Sequence, residues 1–236
     1  MLDVVEYLGF KVLNKDYKAA RTDFRAGSVL TISPNSYGIT TKNQALNRAL
    51  KRPGILVLDG VYFGLGYFLR TGRTIHKNQG PHIFYQELEI QKSKHGRVFF
   101  LGATESTLRT IEIRMAQDYP EISVDTFSPP FKDRLSEEDN EVIRERIQAF
   151  NPAVIFVGMT CPKQEIWVDE NIEDYPGKIL MAVGGVFDWF AGNYSELHPL
   201  WWRLRLAWLG RMIQRPEILK RNMPNIWLYV RDMLRR

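Results

Sequence analysis

Six short and nearly continuous apolar runs recur along the chain: Val29–Ser33, Ile55–Asp59, Val98–Gly102, Val124–Phe127, Val154–Met159 and Ile179–Gly184. Runs of this length without polar alternation mark strands covered on both faces, the condition inside a parallel sheet. Between them, residues Thr40–Lys51, Thr104–Asp118 and Ser136–Phe150 carry apolar positions at helical spacing, the third opening with Ser136 and Asp139 as a capping pair. The alternation predicts an α/β protein with a mostly parallel sheet, flanking helices and right-handed crossovers. After Gly192 the strand pattern stops, and Pro199, Pro216 and Pro224 punctuate helical, Arg-rich segments. The expected division is a sheet domain over residues 1–194 and a C-terminal helical appendage over 195–236.

Charge sharpens that division. The last forty residues hold nine Lys/Arg against two acids, a net +7, whereas the rest of the chain is close to −2. Trp201, Trp202, Trp208 and Trp227 are interleaved with these cations. Amphipathic aromatics beside Lys/Arg suit a lipid interface or an anionic ligand, and charge alone also admits nucleic acid. A plainer reading is a helical pair docking its aromatics on the core with solvated Arg outside. At 236 residues and 44% apolar content the chain can bury a substantial core. One cysteine, Cys161, excludes an internal disulfide framework, and the absence of a cationic n-region followed by an apolar h-region points to the cytosol. The longest apolar stretch, Ile55–Leu69, is interrupted by Asp59 and falls short of the roughly 20 residues that span a bilayer, so any membrane contact is expected to be peripheral.

In an open parallel sheet, ligands bind beyond the carboxyl ends of the strands. The residues just after the apolar runs are correspondingly polar: Ser33-Pro34-Asn35, Asp59-Gly60, Gly102-Ala103-Thr104, Thr160 through Glu165, and Gly184-Gly185-Val186-Phe187-Asp188. Asp59 closes a dry strand, where partial desolvation raises a carboxylate's proton affinity and suits it to act as a general base; alternatively it caps the helix starting near Val61. The Gly102 turn opens a helix whose N–H groups can cradle a phosphate, although many α/β proteins need such a turn for steric reasons alone. Lys163 and Gln164, early in a helix begun by Pro162, can point into the cleft. Gly184 and Gly185 allow close approach of a ligand, and Asp188 can accept hydrogen bonds from a base or ribose, or else cap the turn toward Gly192.

Other chemistries lack support. The four histidines show no zinc spacing, no Asp-X-Asp pair occurs, and neither a nucleophile elbow nor a Walker lysine is present. Cys161 reads as a small turn residue. Gly64-Leu65-Gly66 supplies two of the three glycines of a dinucleotide fingerprint and reads as helix packing. A nicotinamide oxidoreductase and a noncatalytic basic module for membrane or nucleic acid are the alternatives from other classes.

Gly158-Met159-Thr160-Cys161-Pro162-Lys163-Gln164-Glu165-Ile166-Trp167, Gly184 through Gly192, and Trp208-Leu209-Gly210-Arg211 through Arg215-Pro216-Glu217 resemble the WecG/TagA/CpsF family of bacterial glycosyltransferases, as do the Ser33-Pro34-Asn35 and Asp59-Gly60 turns. The resemblance covers roughly residues 25 to 225 in the order and spacing of five motifs. It implies a Rossmann-like catalytic domain with a C-terminal appendage, and inverting, metal-independent transfer of a sugar from a UDP-sugar to a polyprenyl-diphosphate-linked saccharide, without a cofactor. It further implies that Asp59 is the base, that Ser33, Asn35 and Gln164 orient donor and acceptor, and that Asp188 lies beside the uracil. Lys77 stands at the position of a family arginine, and Lys77, Arg211 and Arg221 would balance the departing diphosphate. Gly102, Lys163, Gly184 and Gly185 complete the expected substrate contacts. The chain departs from the family at Lys77–His82, Leu197-His198-Pro199 and Ala207, which sets glucose, glucuronic acid or another hexose beside an N-acetylmannosamine-type donor. The implied setting is the cytoplasmic face of the bacterial plasma membrane, reached through the basic tail, in exopolysaccharide or other surface-polysaccharide synthesis. No nucleic-acid partner is expected, and homo-oligomers are compatible with exposed tail aromatics.

Overall fold

A computed structural model describes residues 2–76, 78–193 and 216–235. The sheet has six strands, all parallel: β3 (Gly27–Ile32), β4 (Gly54–Leu58), β5 (Arg97–Gly102), β6 (Ser123–Phe127), β7 (Val154–Gly158) and β8 (Ile179–Ala182), in the spatial order β4-β3-β8-β7-β5-β6. An antiparallel hairpin of β1 (Val4–Tyr7) and β2 (Phe10–Leu13), which the apolar pattern did not signal, stands apart from it.

Because side chains alternate across a strand, each apolar run feeds two cores. Leu30, Ile32, Leu56, Leu58, Leu101, Ile155, Val157 and Leu180 fill one face with the hairpin residues Tyr7 and Phe10. Val29, Ile55, Val57, Val98, Phe100, Phe156 and Met181 fill the other. Helices cover both. On the first face lie α2 (Pro34–Thr40), α3 (Gln44–Lys51), α4 (Val61–Thr71), α7 (Glu137–Phe150) and α8 (Lys163–Asn171). On the second lie α1 (Tyr17–Arg21), α5 (Gly80–Ser93), α6 (Glu105–Asp118) and α9 (Val186–Phe190). Burial of the β5, β7 and β8 interiors explains why their sequences read as unbroken apolar runs.

Two helix expectations need correction. Thr40–Lys51 is not one helix: Ser33 and Ser36 form a capping box that starts α2 early, and the side chain of Asn43 caps Leu46 N–H to start α3 separately. Pro224 does not punctuate the last segment. It lies inside α10 (Pro216–Leu234), which runs through it. Pro224 has no N–H to donate to the helix ladder, but the next residues are held by tertiary packing: Asn225 against Gly38, and Tyr229, only 2% exposed, between Phe63 and Tyr37. A Cβ on Gly38 would overlap the Asn225 backbone, and one on Gly66 would overlap the Tyr229 hydroxyl. Gly66 is therefore a helix-packing glycine, as the sequence suggested, inside α4 and not at a strand-to-helix turn. The boundary expected near residue 195 lies outside the described residues.

Candidate active site

Crossovers leave β5 toward β6 and β7 toward β8, in opposite directions across the sheet. Such a reversal marks where an open sheet of this kind offers a crevice at its carboxyl edge, and the expected strand-end residues lie along that edge. Asp59 N–H donates to Ile32 O at 2.8 Å, tying the end of β4 to the end of β3. Pro34 Cδ sits 4.0 Å from the position a Gly60 Cβ would take. Gly60 occupies the N-cap position of α4, one residue beyond Asp59. Gly80, the buried first residue of α5, has its Cβ direction 4.0 Å from Asp59 Oδ2 and 3.5 Å from Val186 Cγ2. The Asp59 carboxylate thus stands where the turns after β3, β4 and β8 meet the start of α5.

The Ser33 hydroxyl accepts Ser36 N–H at 3.2 Å, and Asn35 Oδ1 accepts from Asn225 Nδ2 of α10 at 3.0 Å. On the other side of the crevice Gly102 and Gly158 are paired in register, and a Cβ on Gly102, whose φ is +115°, would come within 2.7 Å of Gly158 O. Only glycine permits that approach. Ala103 N–H donates to the same carbonyl, and Ser128 Oγ donates to Ala103 O. Thr104 caps α6.

The turn after β7 carries Cys161, a cis Cys161–Pro162 peptide and the start of α8. Lys163 does not extend freely: its Nζ donates to Lys132 O at 2.6 Å, and burial pulls its pKa down. Gln164 is buried, with Nε2 donating to Glu165 Oε1 at 2.8 Å. Burial pushes the Glu165 carboxyl pKa up, against smaller opposing effects of Gln164 and Cys161. Burial likewise pushes the Cys161 thiol well up, Glu165 adds to this, and the positive charge of Arg221 works against it. A thiol so disfavoured as thiolate is no nucleophile, in keeping with the turn-residue reading. The same influence brings the Arg221 guanidinium within electrostatic reach of the β7 turn.

Asp188 lies within α9, and its Oδ1 accepts from Asn193 Nδ2 at 3.3 Å while Asn193 also donates to Thr107 Oγ1. That bond serves the turn after α9 and links it to the start of α6. Lys77 and Arg211 lie outside the described residues. Next to Lys77, Asn78 is 1% exposed and bridges Tyr17 N–H and Lys15 O, which anchors the segment leading to Gly80. Among the described residues no three His, Cys, Asp or Glu side chains gather to hold a metal ion, and no helix is long and apolar enough to cross a membrane.

Three participants escaped the sequence reading. Glu165 was visible only as an acid favouring a helix start. Gly80 stood only within the Lys77–His82 departure, without a role of its own, and Asn225 carried no local signal, because it reaches Asn35 across 190 residues of chain.

A doubly covered parallel sheet whose polar turns converge at its carboxyl edge is the architecture of a Rossmann-like enzyme. Residues 5–236 match the glycosyl transferase WecG/TagA/CpsF family, and the chain belongs to that family of glycosyltransferases. It is 28% identical over 185 residues, 78% of its length and 71% of theirs, to N-acetylglucosaminyldiphosphoundecaprenol N-acetyl-beta-D-mannosaminyltransferases of Staphylococcus aureus strains MRSA252 and NCTC 8325 / PS 47.

Proposed function

We propose that this glycosyltransferase moves a hexose-type sugar from a UDP-sugar to a polyprenyl-diphosphate-linked saccharide, with inversion and without a metal ion. The observation that carries the reading is the position of Asp59 at the meeting point of the Pro34, Gly80 and Val186 turns. A carboxylate there can take the proton of an acceptor hydroxyl as its oxygen attacks the anomeric carbon; the bond from that carbon to the UDP phosphate breaks, and its electron pair leaves with UDP. Attack opposite the leaving group inverts the anomeric centre. Asn35, Ser33 and Gln164 hold the reacting groups in line. The Gly102 turn and the start of α6 receive the nucleotide, with Gly184, Gly185 and Asp188 at its base or ribose. Arg221, together with Lys77 and Arg211, balances the charge of the departing diphosphate in place of a cation. The acceptor class is supported by the names of the Staphylococcus aureus relatives. Their donor is N-acetylmannosaminyl, while the Lys77–His82 departures beside Gly80 favour keeping other hexoses in play. The basic tail brings the enzyme to an anionic membrane surface, where such acceptors reside.

The test is transfer followed by mass spectrometry, with a panel of UDP-sugars and polyprenyl-diphosphate acceptors of differing length. One added sugar mass from one donor is expected, undiminished by chelator. Asp59→Asn should lower turnover by about 100-fold or more while UDP affinity holds. Loss of UDP binding with unchanged turnover would overturn the base role, and a strict divalent-ion requirement would overturn the metal-free mechanism.

A further inference from the structure

Gln164 and Glu165 are the second and third residues of α8, at the crevice edge of β7 and β8. They are 4% and 1% exposed. Their one mutual bond runs from Gln164 Nε2 to Glu165 Oε1 at 2.8 Å, and among the described residues nothing bonds Gln164 Oε1. A buried amide oxygen without a partner costs the desolvation of that group, on the order of 1–3 kcal/mol, so native proteins seldom keep one unless something else binds there. Beside it the chain places glycine: a Cβ on Gly184 would lie 3.2 Å from both amide atoms of Gln164. The two ends of a glutamine amide have the same shape, and only the hydrogen-bond partner decides which end faces which way. Here the Glu165 oxygen accepts the N–H₂ end, and the carbonyl end is left over. The bland alternative, that Glu165 merely favours the start of α8 as an acid, does not account for a carboxyl taken wholly out of water.

We propose that Glu165 is a positioning residue of the transfer site, accepting from Gln164 Nε2 so that Gln164 Oε1, beside Gly184, is presented as the acceptor for an N–H or O–H of the nucleotide-sugar donor. The proposal rests on the transferase reading above. It separates the two adjacent residues by role: Gln164 touches the donor, and Glu165 acts through it. Burial raises the Glu165 pKa, and an amide of the same shape at this place keeps an oxygen that can accept from Gln164 Nε2.

The experiment is a double-mutant cycle on the full chain, read by calorimetric UDP binding and by steady-state transfer. Glu165→Met and Gln164→Met should each weaken UDP or raise the donor KM by about tenfold, the effect of one hydrogen bond to a buried group. The double variant should be no worse than Gln164→Met alone, because a positioning residue has nothing left to position. Glu165→Gln should stay within about threefold of the parent enzyme, since its amide oxygen still accepts. Multiplying effects in the double variant, or Glu165→Met with unchanged UDP affinity and KM, would overturn the proposal. If Glu165→Met does not fold, a folded Glu165→Gln that loses UDP affinity by more than about tenfold overturns it as well. A parent enzyme that neither binds UDP nor transfers sugar is a different failure, that of the transferase reading itself.

Discussion

Glu165 is the residue whose burial has the clearest consequence for stability. Its carboxyl pKa is raised in the folded protein, chiefly by burial. The native state therefore holds a proton that the unfolded chain releases above the ordinary carboxylate range near about 4.3. With more protons bound folded than unfolded, stability is fully present below that range and declines as pH rises toward the folded pKa. Glu165→Gln removes this titration, so its melting temperature relative to the parent should improve as pH rises above the ordinary carboxylate range; a difference that stays flat with pH would mean that burial does not raise the Glu165 pKa. Glu87 is buried too, with a cation beside it. It is fully buried yet receives Arg21 Nε at 2.9 Å and the Tyr17 hydroxyl at 2.7 Å. Arg21→Met should cost about 3–5 kcal/mol in denaturant unfolding, because it leaves a buried acid without its cation. What was legible in the sequence at this scale was the placement of Ser33, Asn35, Asp59, Gly102 and Gly184 at the strand ends, since each stands at or just after an apolar run. Pairings such as Asn35 with Asn225, or Arg21 with Glu87, join residues far apart in the chain and leave no periodic trace.

At the scale of elements, local signals succeeded where burial on both sides left an uninterrupted apolar run and where a capping pair marked a start. Five of the six sheet strands and α7 with its Ser136–Asp139 box fall into that group, whereas the edge strand β6 is only partly buried and is broken by Asp125 and Thr126. The β1–β2 hairpin was missed because its strands are four residues each and only partly buried. The α2–α3 break falls in the polar stretch Thr40–Gln44, and the Ser33 and Asn43 caps reveal where each helix starts. The packing of α10 on α2 is the element contact with the most direct bearing on the site, since Asn225 meets both Gly38 and Asn35 there. Tyr37 Oη also donates to Asp232 Oδ2 at 3.2 Å, and Arg70 reaches Asp232 O. Gly38→Ala should push α10 away from α2, at about 1–3 kcal/mol for an overpacked contact. Limited proteolysis should then cut near residue 225 sooner than in the parent, and transfer should fall with the sheet still folded. Unchanged protease resistance would show that the contact absorbs the added methyl and the two helices stay together.

Across the whole molecule, charge and packing make different demands of the C-terminal forty residues. All of the excess positive charge is there, yet Tyr229 belongs to the same core cluster as Tyr7, Phe63 and the β3 and β4 side chains. Removing the segment outright would strip a buried tyrosine from the core along with the charge, so loss of membrane binding in a truncated chain would be ambiguous. Charge substitution separates the two. Arg203, Arg205, Arg215 and Lys220 are outside the proposed transfer machinery, and Lys220 is exposed on α10 near the exposed Trp227. If the tail docks on anionic lipid, each cation contributes about 1 kcal/mol near the surface. Replacing all four with Gln should then lower co-sedimentation with phosphatidylglycerol vesicles by roughly 1,000-fold in apparent affinity. Binding of the parent should weaken as salt rises, because screening shortens the reach of surface charge to about 8 Å at physiological ionic strength. Turnover on a water-soluble acceptor analogue should persist in the substituted enzyme, since its core and strand-end turns are untouched. Vesicle binding that survives all four substitutions would assign the membrane contact to some other surface and leave the tail's charge to the diphosphate alone.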